Sequence, residues 1–496
     1  MVSTSSPLAV AAGLWALDEG GSAVDAAVAA DAVLGVTQPL WTGIGGDAFA
    51  LVADGGEVVA FNGSGPAPAG LTLDRCLEER VTYETGGGHG YDFLGQIFSD
   101  FPPTLPDTSA LSVTVPGVVD TWVQLVERFG RLPLATTLRP AIELARSGFP
   151  VGRTTARAWR ADAKRLRPGA PFPPDVRSGD RCTNEALADS LAAVADGGRD
   201  AHYGGSWADE VVAAVQAEGG VLDHEDLLSH RGEWTEPVSG SFRGLTVDEA
   251  PPNGQGVAVL AALAILEDQP PWRDEDPASL ARVMLAVRDG MRRAHAEVAD
   301  PRTVEVPAFW AASETVYTAA VAGELAVSLI SSTFHAFGSG LVAGGATLQN
   351  RGLGFSLDEG HPGVVAPGKR PFHTIIPAMV RGPESATRPW AAFGVVGGSM
   401  QPQGQVQVLT QLVDGGRDAQ GALDAPRARW LGGDLVALEA GVTDDEVAAL
   451  RAAGFTVADQ RLRGEGAGCG QLVRCHADGW LEGAADQRRD GVAFGR

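Results

Sequence analysis

The sequence is short of the residues on which several function classes depend. Lys164 and Lys369 are its only lysines, and 38 basic against 62 acidic residues leave a net charge of −24. Such a field repels nucleic acid and anionic membrane surfaces, so neither is expected as a partner. An anionic small molecule would need arginine placed locally in its pocket. The four cysteines, Cys76, Cys182, Cys469 and Cys475, are scattered along 496 residues. That spacing builds neither a disulfide framework nor a Cys-x-x-Cys clip, and buried free thiols are expected. The nine histidines form no His-x-x-x-His or His-Glu-x-x-His pattern, so no metal and no cofactor is expected. No run of about 18 apolar residues occurs, which argues against a membrane span. The opening residues MVSTSSPLAVAAGLW have no basic stretch ahead of an apolar one. A cytoplasmic protein, or one whose leader has been removed, is therefore expected.

What is present is an ordinary globular composition, 44% hydrophobic and 20% charged. Apolar residues recur at helical spacing over 7–37, with a break at Gly20-Gly21. A turn, WTGIGGDA, leads into two strand-like stretches, FALVADGG and EVVAFNG. Residues 84–110, rich in Gly and Pro, read as a long loop or lid. Residues 117–300 are mostly helical, with one short strand, LTVDEA, before PPNGQG. From Thr315 the pattern turns to strands: TVYTAAV, ELAVSLISS, TIIPAMV, WAAFGVV, GQLVRCHADG and GWLEGAA. Hairpins at both ends and helices between them fit a layered sandwich whose sheets are shared by both ends of the chain.

Individual motifs are weak. TGIGGD at 42–47 lacks the Gly-Lys-Ser/Thr ending of a phosphate loop and reads as a structural turn. VVGGSMQPQG at 395–404 sets Gly397-Gly398 directly after a strand. Two adjacent glycines let backbone N–H groups converge without Cβ obstruction, which suits an oxyanion hole or a plain turn. No Gly-x-Ser-x-Gly elbow is present.

Taken together, nine stretches in order carry a resemblance. They are SSPLAVAAGLWALDEGGSAVDAAVAADAVLGVTQPLWTGIGGDAF, SVTVPGVVDTW, RPAIELARSGFPV, FRGLTVDEAPPNGQG, ETVYTAAV, AVSLISSTFHAFGSG, KRPFHTIIPAMV, GGSMQPQGQVQVL and GAADQRRDGVAFG. Over essentially its whole length the chain resembles the gamma-glutamyltransferase family of N-terminal-nucleophile hydrolases. TVY, QNRGLGFSL, GKRPFHT and QPQG look like the branch holding oxamate amidohydrolase-like and cephalosporin-acylase-like members. The resemblance implies an α+β fold, a four-layer αββα sandwich, made from one precursor. It implies self-cleavage between Glu314 and Thr315 into a large subunit, 1–314, and a small one, 315–496. These remain together as a heterodimer or a dimer of heterodimers. Thr315 is then the expected nucleophile, Ser332 a supporting hydroxyl, and Gly397 and Gly398 the oxyanion donors.

The chemistry behind that expectation is simple. A Thr hydroxyl is a weak nucleophile that needs an adjacent base. Cleavage would expose an α-amine of pKa about 7.7–8.0, of which roughly a tenth is neutral at pH 7.

Departures from the glutamate-specific pattern point to the substrate. Ser64 stands where those members use an Arg, and His373 and Thr374 stand where they use a Ser pair. Phe334, Arg351 and Gly354 replace acidic and amide side chains that hold the substrate's amino group. A charge-assisted hydrogen bond contributes about 1.5–3 kcal/mol, so losing several disfavours glutathione. Arg351 in their place suits an anionic acyl group without an amine, such as oxalyl, succinyl or glutaryl, unless it is a salt-bridged scaffold residue. His373 either bonds substrate or packs behind Thr374, and Asp25 is expected to be structural. The expected activity is an amidohydrolase or acylase of a small carboxylated amide. Acyl transfer to an amine, or an uncleaved homologue with a binding role, are the alternatives.

Overall fold

The computed structural model describes residues 1–85, 105–302 and 314–495. Two antiparallel sheets lie face to face. In the first, the strand order is Val492–Phe494, Val2–Thr4, Glu314–Ala322, Leu325–Phe334, Asp47–Asp54, Glu57–Asn62, Glu233–Thr235. In the second it is Leu481–Ala485, Cys469–Cys475, Ala391–Val396, Ala378–Arg381, Leu245–Glu249, Val238–Phe242. Phe49, Leu51, Tyr317 and Ile330 of the first sheet pack against Met379, Ala392, Val396 and Val473 of the second. Helices cover both outer faces. Pro7–Asp18, Ala23–Thr37 and Leu134–Ser147 belong to the core over the first sheet. Gly256–Glu267, Ala278–Glu297 and Met400–Val413 belong to the core over the second. The result is the expected αββα sandwich.

Local sequence explains the elements nearest the site. Helix Ala23–Thr37 is buried at every residue, and its run of alanines lets the backbone approach the sheet without large side chains. Its start is fixed by a capping box in which Ser22 accepts from the backbone N–H groups of Val24 and Asp25 while Asp25 accepts from that of Ser22. Asp25 also accepts from the Arg131 N–H at 2.8 Å, so it is a structural residue, as its place in the sequence suggested. Helix Met400–Val413 is buried through Leu412 despite five glutamines. Gln403, Gln405 and Gln407 donate to the carbonyls of Trp430, Ile376 and Ala428, which is how an amide-rich helix is accommodated in a core.

The hairpin Glu314–Ala322/Leu325–Phe334 turns through two residues, with Leu325 opposite Ala322 and Gly323 at φ 65°, a conformation that favours glycine. Its far end is irregular. Ser331 pairs with Val316 and Phe334 with Glu314, so Ser332 and Thr333 together face Thr315 across a bulge. Phe334 there has φ 80°, a strained conformation for a bulky side chain.

Several sequence expectations are refined. The strands Val238–Phe242, Ala428–Gly432 and Leu435–Leu438 were not anticipated. The first lies within the segment read as helical plus one strand. Of the proposed loop at 84–110, residues 86–104 lie outside the described residues, and helix Leu73–Thr85 takes its start. All four cysteines are free, and Cys469 and Cys475 are buried at opposite ends of one strand.

Candidate active site

Thr315, at the head of its strand, is fully buried. Its Oγ1 accepts from Nε2 of Gln401 at 3.1 Å, and Oε1 of Gln401 accepts from the Ile376 N–H at 3.0 Å. Gln401 is delivered by a tight connection. Strand Ala391–Val396 ends at Gly397-Gly398, and helix Met400–Val413 begins two residues later. Gly397 and Gly398 have φ 123° and 61°, and a Cβ on Gly397 would lie 3.2 Å from the Gly468 Cα. Glycine is therefore needed there both for conformation and for close approach. The carbonyls of Gly397 and Gly398 accept from the N–H groups of Met400 and Gln401, starting the helix. The glycine pair is thus at a helix N-terminus, where backbone N–H groups and the helix dipole favour negative charge.

A second cluster lies on the 370–376 loop and the 3-10 turn Arg351–Gly354. Arg351 is fully buried, donates through Nη1 to the Thr374 hydroxyl at 3.0 Å, and lies 4.6 Å from the centroid of the Phe334 ring. Its Nε and Nη2 have no hydrogen-bond partner. Burial pushes its pKa down to about 9, against the pull of Asp47, so it is cationic at neutral pH. Gly354 is a place of close approach, since a Cβ there would meet the Phe372 carbonyl oxygen at 2.3 Å.

Asp47, the start of its strand, is the buried carboxyl of this cluster. One oxygen accepts from the N–H groups of Gly65 and Gly117 and from Gln349, and the other meets His373 Nε2 at 3.1 Å. Burial raises its pKa to about 7 even though Arg351 and these donors favour the anion. Burial, and then Arg351 and Arg370, keep His373 well below its ordinary pKa, so it is neutral. With Asp47 ionised, His373 donates from Nε2, and its buried Nδ1, which has no partner, is an acceptor. Phe49 packs edge-on to the ring at 4.8 Å.

The two clusters are joined by amides. Gln255 donates to the Thr374 carbonyl at 2.7 Å and to the Gly398 carbonyl at 3.0 Å, while Gln401 ties Thr315 to Ile376. Thr315, Gly398, Thr374 and Arg351 are therefore linked through short hydrogen-bonded paths. Ser332 lies in the bulge facing Thr315 and accepts from the Phe334 N–H at 2.8 Å. Ser64 donates to Asn62 at 2.8 Å and exchanges bonds with Asn253, beside the His373–Asn253 backbone contact. Thr315, Ser332, Phe334, Arg351, His373, Thr374, Gly398 and Ser64 are thus brought into one region. Gln401, Gln255, Asp47 and Arg489 were not singled out, although Gln401 lies within the QPQG stretch.

The family model for gamma-glutamyltranspeptidase matches residues 9–314 and 309–495. The chain belongs to that family. It is 34% identical to the glutathione hydrolase-like YwrD proenzyme of Bacillus subtilis, covering 100% of this chain and 98% of that one. It is 31% identical to the oxamate amidohydrolase proenzyme of Klebsiella pneumoniae, over 98% and 97% of the two chains. The crystal structure of cephalosporin acylase from Bacillus halodurans superposes with a TM-score of 0.88 at 34% identity, over 99% and 94%. The protein is an enzyme of the N-terminal-nucleophile amidohydrolase class, and its resemblance to the acylase branch stands. Among the described residues, no helix is long and apolar enough to cross a membrane.

Proposed function

We propose that the chain matures by cleavage between Glu314 and Thr315 and then hydrolyses a small amide whose acyl part carries a second carboxylate. In maturation the Thr315 Oγ bonds to the Glu314 carbonyl carbon, the Glu314–Thr315 C–N bond breaks, and water hydrolyses the resulting ester. This leaves a Glu314 carboxylate, a free hydroxyl and a free α-amine. In turnover the α-amine takes the Oγ proton, Oγ attacks the substrate carbonyl, and the N–H groups of Gly397 and Gly398 receive the oxyanion. The amine leaves with a proton, and water releases the acid. One preorganised oxyanion donor typically contributes about 2.7–4 kcal/mol to such a step. The two parts of the cleaved chain would stay associated, because strands from both parts are interleaved in the first sheet, with Val2–Thr4 between Val492–Phe494 and Glu314–Ala322 and Leu325–Phe334 beside Asp47–Asp54.

The observation that carries the substrate reading is Arg351, a buried cation with Nε and Nη2 unpartnered. A carboxylate would supply two charge-assisted bonds there. A glutamyl group would also bring an ammonium, and Phe334, Arg351 and Gly354 offer it no acceptor. Oxamyl, succinyl and glutaryl amides are the proposed substrate class, and glutathione is not.

The test is intact mass of the purified protein beside Thr315→Ala, followed by hydrolysis of oxamate and of succinyl, glutaryl and γ-glutamyl anilides. We expect two fragments split before residue 315, one chain in the variant, and turnover of carboxylated but not glutamyl amides. An uncleaved wild type, or cleavage that survives Thr315→Ala, would overturn the nucleophile. Preference for γ-glutamyl anilide would overturn the substrate class.

A further inference from the structure

Arg489 comes from the closing segment of the chain and reaches the head of the nucleophile strand. Its Nη1 donates to the carbonyl oxygen of Thr315. Its guanidinium carbon lies 3.7 Å from the centroid of the Trp41 ring, and Nη2 lies 4.0 Å from Oε2 of Glu465. The side chain is 1% exposed, that of Glu465 17%. The guanidinium is thus fixed on three sides, by a backbone oxygen, an aromatic face and a carboxylate, in a place water reaches poorly.

The carbonyl that Arg489 holds belongs to the residue whose nitrogen cleavage would free. Covalent geometry keeps a residue's own nitrogen and carbonyl oxygen within roughly 3–4 Å. The cation therefore lies within roughly 7 Å of the Thr315 nitrogen, close enough for strong coupling where water is scarce. An ammonium beside a fixed cation is disfavoured, so the neutral amine gains.

Other charged groups are packed around the head of this strand. Asp31, on helix Ala23–Thr37, accepts from Ser331, which pairs with Val316. Asp47, His373 and Arg351 lie on the acyl side, and Glu249 lies toward Tyr317. Arg157, Asp162 and Asp490 act on Glu465 from outside. Burial raises Asp31 to about 6 and Asp47 to about 7, and pushes Glu249 well above the ordinary carboxyl range. The Asp31 and Asp47 carboxyls are thereby weakened as counter-charges to Arg489.

We propose that Arg489 is a positioning residue that holds the Thr315 carbonyl and, by its charge, keeps the freed Thr315 α-amine in the neutral form that accepts the Oγ proton, with Glu465 opposing it. This rests on the reading of Thr315 as nucleophile. Removing the cation raises the pH at which the amine becomes a base, and removing the Glu465 carboxylate lowers it.

The test is the pH profile of kcat/KM on succinyl anilide for wild type, Arg489→Gln, Arg489→Lys and Glu465→Gln, each first checked for cleavage by intact mass. The acid limb moves up by about one pH unit in Arg489→Gln, roughly a tenfold loss at pH 6.5. It stays in place in Arg489→Lys and moves down in Glu465→Gln. A purely structural role changes rates and leaves the limb where it was, and that result would overturn the proposal. Should Arg489→Gln fail to mature, the Thr315 α-amine of wild type and Glu465→Gln is titrated directly, by acetylation at a series of pH values and mass spectrometry of the small chain's first peptide. A lower titration midpoint in the variant supports the proposal, and equal midpoints overturn it. A wild type left uncleaved sinks the nucleophile reading itself, whereas a cleaved wild type with an invariant limb sinks this inference alone.

Discussion

The polar atoms of Thr315 itself are paired: the hydroxyl with Gln401, whose far end accepts from Ile376, and the carbonyl with Arg489. Around Arg351, about one loop away, they are not. Two guanidinium nitrogens and Nδ1 of His373 are buried without partners. An unmade bond at a buried charged group is costly. The contrast separates two jobs. A nucleophile, the role proposed for Thr315, must be held in one geometry before substrate arrives, and the Thr315 hydroxyl and carbonyl are bonded within the protein alone. The proposed acyl site keeps two free guanidinium donors at Arg351 and one free acceptor at His373 for a ligand to meet.

The largest expected effect comes from breaking the deficient half. Arg351→Met removes donors for two charge-assisted bonds, so kcat/KM for succinyl anilide should fall by about 10²–10³-fold. Stability should not fall with it. At pH 6, where Asp47 takes up a proton, an apolar side chain in place of a buried cation with two nitrogens unpartnered is neutral or stabilising, and thermal melting should show Tm unchanged or raised. A variant that loses activity and melts earlier would mean that Arg351 is scaffold after all.

Gln401→Leu breaks the other half and should behave in the opposite way. It leaves the Thr315 hydroxyl and the buried Ile376 N–H without partners, at about 1–3 kcal/mol. Tm should fall, and both self-cleavage and kcat should slow by roughly ten- to a hundredfold, read by a time course of intact mass and by turnover of the matured fraction. KM for the carboxylated amide should stay within about twofold, since this change leaves the Arg351 pocket intact. A changed KM with unchanged kcat would erase the distinction between cradle and pocket.

How much of this was legible in the sequence follows the range of the contacts. Helix 7–37 with its break, the strand pair after Thr315 and the Gly397-Gly398 turn are local patterns, visible in spacing and composition. The order of motifs carried the fold and the family. Strand Val238–Phe242, VSGSF, lacks the alternation of large apolar residues that marks a strand. The insertion of Val2–Thr4 between Val492–Phe494 and Glu314–Ala322 is a pairing across the length of the chain. Arg351, His373 and Thr374 stood out because they depart from a pattern. Gln401, Gln255 and Arg489 do not, and each acts on a residue 86 to 174 positions away. A glutamine in an amide-rich helix has no local mark of its partner. Asp47 was passed over for the same reason, being read as the end of a glycine turn.

Asp47 gives the smallest expected effect and the most direct reading of the deficient half. Its folded pKa, about 7, lies above that of an unfolded Asp, near 3.9. Between those values the folded state binds the extra proton, so this group's contribution to stability is fully present below about pH 4 and is lost as pH rises toward 7 and beyond. Asp47→Asn keeps an oxygen for Gly65, Gly117 and Gln349 and cannot ionise. The difference in Tm between variant and wild type, followed by scanning fluorimetry from pH 5 to 8, should therefore favour the variant increasingly as pH rises. Taking the difference removes Asp31 and Glu249, whose carboxyls are raised by burial in the same way. Adding succinate should steepen the rise of that difference between pH 7 and 8 if the ligand's carboxylate at Arg351 pushes Asp47 further toward its protonated form, because two anions then share one buried cation. An unchanged slope with succinate would place the carboxylate elsewhere and break the link between Arg351, Asp47 and the acyl group.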